Sequence, residues 1–324
     1  MTNVLITSAS RKVSLIRAFQ KAVRENGGGR VIAADITPLS AALRLADEGI
    51  LVPRSDDPQF LTAILDVCKN KAIQLLVPTR DEELPFFAEH REAFRAVGTT
   101  VMVAKPATIL GCQDKKTFVE TCLRFGYRIP KMYSSPEEIH DNEFPVFVRP
   151  RHGKSNPSAQ RVLSRRELDR FRDRLPEIII QQLIEAPEMS VDYFADFNGT
   201  PISAVTRERV SMFGGESFIS RTCKKPGLID ACVSLSKHLG LIGHNTIQCF
   251  VLDDEPVFIE VNPRFGGACA LGFAAGVQTP EFLVQLVCGQ SVAPRLGIFQ
   301  EDLVMLRYTE DLFLPASSLA PVPV

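Results

Sequence analysis

A carboxylate, a carboxamide and a guanidinium stand close together at the end of one apolar segment. The stretch "TIQCFVLDDEPVFIEVNPRFGG", residues 246–267, contains two apolar runs separated by a polar turn. The second run ends in Glu260, Asn262 and Arg264. Two apolar runs around a short polar turn predict a β-hairpin. A strand with this pattern has no packing reason to finish on such groups, so its ending points to chemistry.

The register of this hairpin decides which polar side chains meet. A three-residue loop at 253–255 places Gln248 opposite Glu260 and Thr246 opposite Asn262. Directly opposed side chains point to the same face of a sheet, with Cβ atoms about 4.5–5.5 Å apart. One face of the hairpin is then apolar, and the other collects the amides and the carboxylate at one end.

The same register places aromatic rings beside the polar cluster. It pairs Phe250 with Phe258 and, nearer the loop, Leu252 with Pro256. The two phenylalanines would limit the access of water to Glu260, and a partly buried carboxylate needs a cation or hydrogen-bond donors to stay ionised. The alternative is that the cluster is only the solvent-facing end of a hairpin.

The polar cluster consists of hard oxygen donors, contributed by Gln248, Glu260 and Asn262. Mg²⁺ takes such ligands, usually through one or two carboxylates, with substrate phosphates completing its shell. Arg264 follows two residues later and can meet a phosphate or a carboxylate in a bidentate way. The spacing therefore predicts a magnesium–phosphate site.

Further cations and a nucleotide linker support this prediction. Arg149 ends an apolar strand, Lys115 begins a predicted helix, and the loop that follows Arg149 includes Ser155, whose backbone N–H can help to wrap a phosphate. Each of these residues taken alone is commonly a solvated side chain. Downstream, Glu188 is available for ribose hydroxyls. An extended linker can offer backbone groups to a purine edge, and its residues are Gln181, Gln182, Leu183 and Ile184.

The first hundred residues alternate short apolar strands with helices. The strand-like runs occupy 4–7, 31–36, 75–78 and 100–104. The helical patterns between them occupy 13–23, 39–49, 58–70 and 85–97. This alternation predicts an αβα domain over residues 1–104, with a parallel sheet and helices on both faces. Ligands of such sheets bind at the carboxyl ends of the strands, where Arg11 and Arg80 are candidate substrate contacts or, alternatively, belong to helix caps.

The first βα turn argues against a dinucleotide-binding fold. Its sequence "TSASRKV" has no glycine where a GxGxxG motif would let the backbone approach a pyrophosphate. The rest of the chain, 105–324, mixes strands and helices, and Asn198–Gly199 predicts a second hairpin. We expect an α+β domain divided at about residue 184 into 105–184 and a metal and substrate part at 185–310, with a flexible Pro-rich end at 315–324.

Composition excludes several classes of protein. A formal net charge of −1 is unlike that of a nucleic-acid binder, and no segment has the length of a membrane span or a signal peptide. The eight cysteines form no CxxC pair, which favours reduced packing residues over a disulfide framework or a zinc site. We therefore expect a cytoplasmic protein that binds neither nucleic acid nor membrane.

In this order, these residues resemble the ATP-grasp superfamily, and most closely its carbamoyl-phosphate-synthetase-like members, over essentially the whole chain. The most specific match is Gln248 followed by Glu260-x-Asn262-Pro263-Arg264, which corresponds to the family's magnesium-ligand strand pair and active-site arginine. The resemblance implies ATP held between two α+β subdomains under a mobile phosphate loop, with Mg²⁺, or alternatively Mn²⁺, as the ion.

The resemblance also implies roles for the flanking residues. Lys115 matches a lysine that reaches ATP, and Arg149 stands where most members have lysine and the carbamoyl phosphate synthetases have arginine. The segment 181–184 matches the adenine-binding linker, and Glu188 the ribose-binding acid. Two departures stand out: the phosphate loop has one glycine where many members have several, and a full carbamoyl phosphate synthetase is longer, duplicated and fed by a glutaminase.

The sequence thus predicts an ATP-dependent ligase that activates a carboxylate as an acyl phosphate and joins it to an amine or another nucleophile, forming ADP and phosphate. Small-molecule carboxylates and amines would be its partners, and a homodimer is compatible with this interpretation. The candidate catalytic residues are Arg264, Arg149 and Lys224. The candidate substrate contacts, besides the two in the first domain, are Arg207, Arg221, Gly266 and Gly267. The alternatives are a non-catalytic ATP- or ligand-binding module and a subunit of a carbamoyl-phosphate-synthetase-like assembly.

Overall fold

The structure is a computed structural model that describes residues 1–153, 159–174 and 177–319. The first domain contains five strands and five helices: β1 (Asn3–Thr7), α1 (Val13–Glu25), β2 (Val31–Asp35), α2 (Ala41–Leu45), β3 (Glu48–Leu51), α3 (Phe60–Asn70), β4 (Ile73–Pro78), α4 (Leu84–Glu89), α5 (Arg91–Ala96) and β5 (Thr100–Val101). The sheet order is β3-β2-β1-β4-β5 and all its pairings are parallel.

The parallel sheet is covered by helices on both faces, which confirms the predicted αβα layering. Alternate residues of β1 enter different cores: Val4 and Ile6 pack with Phe19 of α1, whereas Leu5 packs with Phe87 of α4. One predicted helix was wrong in extent. The pattern at 39–49 forms only the short α2 and then strand β3, because β3 can pair with β2 and bury Ile50, and this tertiary contact overrides local helix propensity.

The remaining chain forms two antiparallel sheets. A four-stranded sheet, which we call the small sheet, has the order β6-β9-β7-β8. Its region comprises α6 (Pro106–Gln113), α7 (Lys115–Arg124), β6 (Met132–Tyr133), β7 (Val146–Pro150), β8 (Gln160–Val162), α8 (Arg165–Arg172) and β9 (Ile178–Gln182). The side chain of Asp114 caps α7 by accepting a hydrogen bond from the Lys116 N–H, and Gly126 follows this helix with φ of 75°.

A six-stranded sheet, the large sheet, has the order β14-β13-β10-β11-β12-β15. Its region comprises β10 (Glu188–Ala195), β11 (Pro201–Phe213), β12 (Glu216–Thr222), α9 (Pro226–Leu239), β13 (Gly243–Leu252), β14 (Glu255–Asn262), α10 (Ala270–Ala274), α11 (Thr279–Val287) and β15 (Val304–Leu306). The Asn198–Gly199 turn joins β10 to β11 as predicted. Among the helices that the structure describes, none combines the length and the apolar character required to cross a bilayer.

The β13–β14 hairpin has the predicted pairs at its polar end but a different turn. Asp253 and Asp254 both have positive φ, 54° and 60°, and form a two-residue turn of the kind that fits the twist of a hairpin. The predicted three-residue loop was therefore wrong. A register shift beyond Gln248 then adds one residue to β14, which restores Gln248 opposite Glu260. The two errors cancel at the end of the hairpin that carries the polar cluster.

The shifted register changes the surroundings of the cluster. The predicted pairs of Phe250 with Phe258 and of Leu252 with Pro256 are wrong, since Phe258 lies opposite Cys249. Phe258 is 1% exposed and its ring packs 5.6 Å from that of Tyr127, in the core. It does not shield the carboxylate from water.

The hairpin turn generates the first prediction. Substituting Asp254→Gly should raise the free energy of unfolding by about 0.5–1 kcal/mol, because glycine adopts positive φ without steric cost and Asp-Gly is a preferred sequence for this turn. The measurement is a urea titration followed by circular dichroism. The matched control is Asp254→Ala, which keeps a Cβ at the same backbone angle and should not stabilise the protein. Equal stabilisation by both variants would contradict the positive φ that the structure gives Asp254.

Candidate active site

The predicted metal ligands lie together on one face of the large sheet. Gln248 is opposite Glu260 and Thr246 is opposite Asn262, as predicted. The amide nitrogen Nδ2 of Asn262 donates to Gln248 Oε1 at 3.3 Å and to Glu260 Oε1 at 3.1 Å. Two oxygens thus converge on one donor, which is the arrangement that a cation can take over.

The donor set fits Mg²⁺ better than a metal that needs several charged ligands. Within residues 1–153, 159–174 and 177–319, no three His, Cys, Asp or Glu side chains converge closely enough to hold a metal ion. The cluster instead offers one carboxylate and two amides, and phosphate oxygens would have to supply the rest of an octahedral shell. With the Gln248 amide reversed, its nitrogen donates to Glu260 Oε1 at 2.5 Å and its oxygen accepts from Arg209 Nη1, so this side chain can present either its oxygen or its nitrogen to the polar cluster.

Arg149 joins the two sheets at this cluster. Its side chain is 2% exposed; Nη1 donates to Glu260 Oε2 at 3.2 Å, Nη2 to the Ile259 carbonyl at 3.0 Å and Nε to Gln181 Oε1 at 3.1 Å. Burial lowers the pKa of Arg149, and the charges of Glu260 and Glu188 oppose that effect. The guanidinium is therefore a fixed positive charge between the small sheet and the polar cluster.

Lys115 is a second buried cation, at the first turn of α7. It is 5% exposed, and its Nζ donates to the Gly153 carbonyl at 2.8 Å. Burial lowers the pKa of Lys115, and the neighbouring Glu260 acts in the opposite direction. The structure thus brings Lys115 and Arg149 to the same carboxylate. Ser155, the predicted phosphate-loop residue, lies outside the described residues.

The nucleotide linker runs along the end of β9. Gln181 is buried and its Oε1 is occupied by Arg149, while its Nε2 has no hydrogen-bond partner among the residues that the structure describes. The Gln182 N–H already donates to the Lys131 carbonyl at 2.8 Å, so it is not free for a purine. Leu183 and Ile184 continue the chain beyond β9 and are partly exposed.

Glu188 lies where the linker enters the large sheet, beside the metal cluster. Its Oε1 accepts from Gln248 Nε2 at 3.4 Å and from Arg209 Nη1 at 2.6 Å. The structure therefore connects the predicted ribose-binding acid directly to a predicted metal ligand. Arg209 was not predicted from the sequence.

Arg264 is held by the N-terminal domain. Its Nε and Nη2 donate to the two carboxylate oxygens of Asp81 at 2.8 and 2.6 Å, and Nη2 also donates to Asn262 Oδ1 at 3.2 Å. Asp81 follows β4, at the carboxyl edge of the parallel sheet. The first domain thus supplies a carboxylate that fixes the orientation of the arginine next to the metal cluster.

Arg207 lies on the same face of the large sheet but behind the cluster. It is 2% exposed and donates to both oxygens of Asp192, at 3.0 and 3.3 Å. Burial by itself raises the pKa of Asp192, but the charges of Arg207 and His244 outweigh it, so the net change lowers this pKa. Thr246 Oγ1 also donates to Asp192, at 3.3 Å. The contacts of Asp192 with Arg207 and Thr246 support the strands that carry the predicted metal ligands. Because the Arg207 guanidinium is already paired with Asp192, it is not available to bind a substrate.

Other predicted substrate residues lie away from the cluster. Arg221 is opposite Glu208 and pairs with it at 2.8 Å, on the other face of the large sheet from Arg207, because adjacent residues of β11 point to opposite faces. The Lys224 side chain is exposed, Arg11 is exposed, and Arg80 pairs with the neighbouring Glu82. The structure does not bring these four cations to the metal ligands.

The two glycines after Arg264 have different environments. A Cβ on Gly266 would lie 2.4 Å from Thr246 Oγ1, so this residue must be glycine for the loop to pack on β13 beside Asn262. Gly267 is exposed, and its carbonyl accepts a hydrogen bond from Arg307 Nη2 at 2.8 Å. Packing accounts for the first glycine, and the second lies beside Glu216 and Arg307.

The sequence interpretation did not predict the contacts that Asp192 and Arg209 make around the polar cluster, and it placed Asp81 at a ligand-binding strand end without its partner Arg264. The sequence did contain a signal for Arg209. The Asn198–Gly199 hairpin pairs β10 with β11 antiparallel, which brings the arginines of "TRERV" close to the acidic residues of "EMSVD". The pairing of Asp81 with Arg264 had no such signal, because the two residues are 183 positions apart in the sequence.

Comparisons with known proteins match both parts of the chain. Residues 4–102 match the model of a PylC-like N-terminal domain, and residues 174–309 match the model of an ATP-grasp family described as acting in the biosynthetic pathway with the Ter operon. The chain is therefore similar to PylC-like proteins over residues 4–102 and to ATP-grasp proteins over residues 174–309, in agreement with the expected resemblance.

Particular relatives and structures agree with this class. The carbamoyl phosphate synthase large chain of Gemmatimonas aurantiaca is 26% identical over 229 residues, which cover 64% of this chain and 21% of that protein. The biotin carboxylase domain of the Hydrogenobacter thermophilus 2-oxoglutarate carboxylase, solved with MgADP and bicarbonate, superposes with a TM-score of 0.73 at 16% identity, over 94% of this chain and 73% of that one. An L-amino acid ligase from Bacillus licheniformis gives 0.69 at 17% identity, over 89% and 74%. The chain spans about a fifth of the length of its carbamoyl phosphate synthase relatives.

The group behind the cluster generates a prediction about pH. His244 is buried, and its ring stacks on Phe265. Burial lowers the pKa of His244 from 6.5 to about 4. The unfolded chain therefore binds a proton more readily than the folded one between these values, and stability should be lost as the pH falls from 6.5 toward 4, by up to about 3 kcal/mol. The measurement is the free energy of unfolding at pH 7 and pH 4.5.

Variants assign this loss to the buried histidine. His244→Gln removes the titrating ring and should flatten the pH dependence, whereas the control His152→Gln, at an exposed position, should leave it unchanged. A pH dependence in His244→Gln as steep as that of the unmodified protein would show that other groups cause the loss.

Proposed function

We propose that this protein is an ATP-dependent, ADP-forming ligase that activates a small-molecule carboxylate as an acyl phosphate and transfers the acyl group to an amine. One observation carries the proposal: Glu260 lies opposite Gln248 and accepts a hydrogen bond from Asn262 on its own sheet, and it pairs with the buried Arg149 of the other sheet. Amide and carboxylate oxygens with fixed cations around them are suited to a Mg²⁺–triphosphate group.

The first half-reaction is a phosphoryl transfer. An oxygen of the substrate carboxylate attacks the γ-phosphorus of ATP; the new O–P bond forms as the bond to the β-phosphate oxygen breaks, and ADP leaves. Lys115 and Arg149 supply positive charge beside the phosphates, and Arg264, oriented by Asp81, faces the transferred group. Bound Mg²⁺, held by the polar cluster, would neutralise charge on the phosphate oxygens.

The second half-reaction uses the acyl phosphate. The amine nitrogen attacks the acyl carbon, a C–N bond forms, the C–O bond to phosphate breaks, and the nitrogen loses a proton to solvent. Arg264 would stabilise the charge that develops on the departing phosphate. Cytoplasmic location and a homodimeric state belong to this proposal too; the eight cysteines, all within the described residues, are free thiols, which suits a reducing compartment.

The activity is tested by measuring ADP release over pairs of carboxylates and amines, with product masses determined. A ligase releases ADP only with a productive pair and gives a product lighter by one water than its two substrates combined. A non-catalytic binding module would bind MgATP without releasing ADP for any pair, and that outcome would reject the proposal.

Glu260 should be required for turnover. Glu260→Ala removes the carboxylate of the metal cluster and leaves Arg149 with an uncompensated buried charge, so ADP release should fall by at least about a hundredfold. The matched control is Glu255→Ala at the exposed first residue of β14, where the side chain pairs with Arg128 and activity should be retained. Circular dichroism checks that both variants fold. Full activity in Glu260→Ala would contradict the assignment of Glu260 as a metal ligand.

Asp81 should affect catalysis rather than nucleotide binding. Asp81→Asn keeps the size of the side chain but loses the charge that fixes Arg264, so kcat should fall about tenfold while KM for ATP stays nearly constant. Asp81→Glu should restore part of kcat. The control is Glu82→Gln, at the next, more exposed position. A rise in KM for ATP without loss of kcat would contradict this role for Asp81.

A further inference from the structure

Arg209 lies on β11 at the edge of the proposed nucleotide site. Its side chain is 6% exposed, Nη1 donates to Glu188 Oε1 at 2.6 Å, and Nη2 donates to the Gly215 carbonyl at 2.8 Å. Its Nε is buried and makes no hydrogen bond within the part of the chain that the structure describes. The guanidinium is thus held at two ends and largely removed from water, so its position is well defined.

Only one of the two carboxylate oxygens of Glu188 accepts hydrogen bonds from the described residues. Glu188 Oε1 accepts from Arg209 and, at 3.4 Å, from Gln248 Nε2, whereas Oε2 accepts no hydrogen bond from the described residues. The Glu188 side chain is 19% exposed, so this second oxygen can be reached from the site. Reversing the Gln248 amide turns its oxygen to Arg209 instead, and the three side chains stay in contact.

Charge explains why the acid needs such a partner. A carboxylate beside a triphosphate would repel it, and burial would penalise its ionised form. The contact with the Arg209 guanidinium balances the negative charge of Glu188, and it leaves Oε2 of this carboxylate able to accept hydrogen bonds. Hydrogen bonds to a charged acceptor are stronger than neutral ones, and the ribose hydroxyls are the neutral donors that lie nearest to the phosphates of a nucleotide.

We propose that Arg209 is a positioning residue that fixes Glu188 so that its Oε2 accepts hydrogen bonds from the ribose hydroxyls, and that Arg209 thereby sets a preference for ribonucleotides over dideoxynucleotides. The inference rests on the proposed function, because it takes the nucleotide to be ATP. It goes beyond that function by assigning the discrimination of the sugar to a residue of β11 that does not itself touch the phosphates.

The test compares the binding of MgADP and of Mg-2′,3′-dideoxy-ADP to the full chain by isothermal titration calorimetry. These ligands allow no turnover, so only binding is read. The unmodified protein should bind ADP about tenfold more tightly than the dideoxy analogue. In Arg209→Met, which keeps the aliphatic volume, this ratio should fall to near one. Arg209→Lys keeps a cation near Glu188 but cannot hold both of its present acceptors, and it should give an intermediate ratio.

The control removes an equal charge from the other face of the sheet. Arg221→Met breaks the exposed pair with Glu208 and should leave the ADP-to-dideoxy ratio at its original value. A wild-type ratio in Arg209→Met, or in Arg209→Lys if the Met variant does not fold, would overturn the inference. A fall in the ratio for Arg221→Met as large as that for Arg209→Met would overturn it as well.

The experiment also separates this inference from the proposed function. If the unmodified protein binds neither nucleotide, the proposed ATP-dependent activity is rejected. If it binds both nucleotides equally well, ATP binding stands and the assignment of Glu188 and Arg209 to the ribose is rejected.

Discussion

The contact between Arg149 and Glu260 is the constraint on which the rest of the site depends. Arg149 belongs to the small sheet and is almost fully buried, whereas Glu260 belongs to the large sheet and is 25% exposed. Removing one partner of a buried ion pair leaves an uncompensated charge, at a cost of about 3–5 kcal/mol. The same hydrogen bonds therefore fix both the distance between the two sheets and the position of the Glu260 carboxylate.

Around this contact the charges are organised in two layers. Lys115 and Arg149 provide positive charge toward the cluster, and each is partly balanced by Glu260. Behind them, Asp192 holds Arg207, and Asp81 holds Arg264. Because each arginine has a carboxylate partner that fixes its planar fork, the site has little conformational freedom to lose when a ligand binds. The N-terminal domain, through Asp81, belongs to this arrangement.

Local sequence predicted the elements well where hydrophobic periodicity and turn chemistry agree. The parallel sheet, the capped helix α7 and the Asn198–Gly199 hairpin are examples. It failed at β3, where pairing with β2 decided between helix and strand, and at the turn of the β13–β14 hairpin. The prediction of Gln248 opposite Glu260 is nevertheless correct, because a register shift compensates for the shorter turn. The predicted aromatic environment of Glu260 is wrong, since Phe258 is buried in the core.

The sequence by itself determined which residues form the polar cluster, because Gln248, Glu260 and Asn262 lie on two strands joined by a short turn. Only the tertiary structure decided which arginines serve that cluster. Arg207 and Arg221 look equivalent in the sequence, yet strand alternation puts them on opposite faces of one sheet. Arg264 acquires Asp81 from another domain, and this pairing exists only because the two domains pack together, which no local pattern encodes.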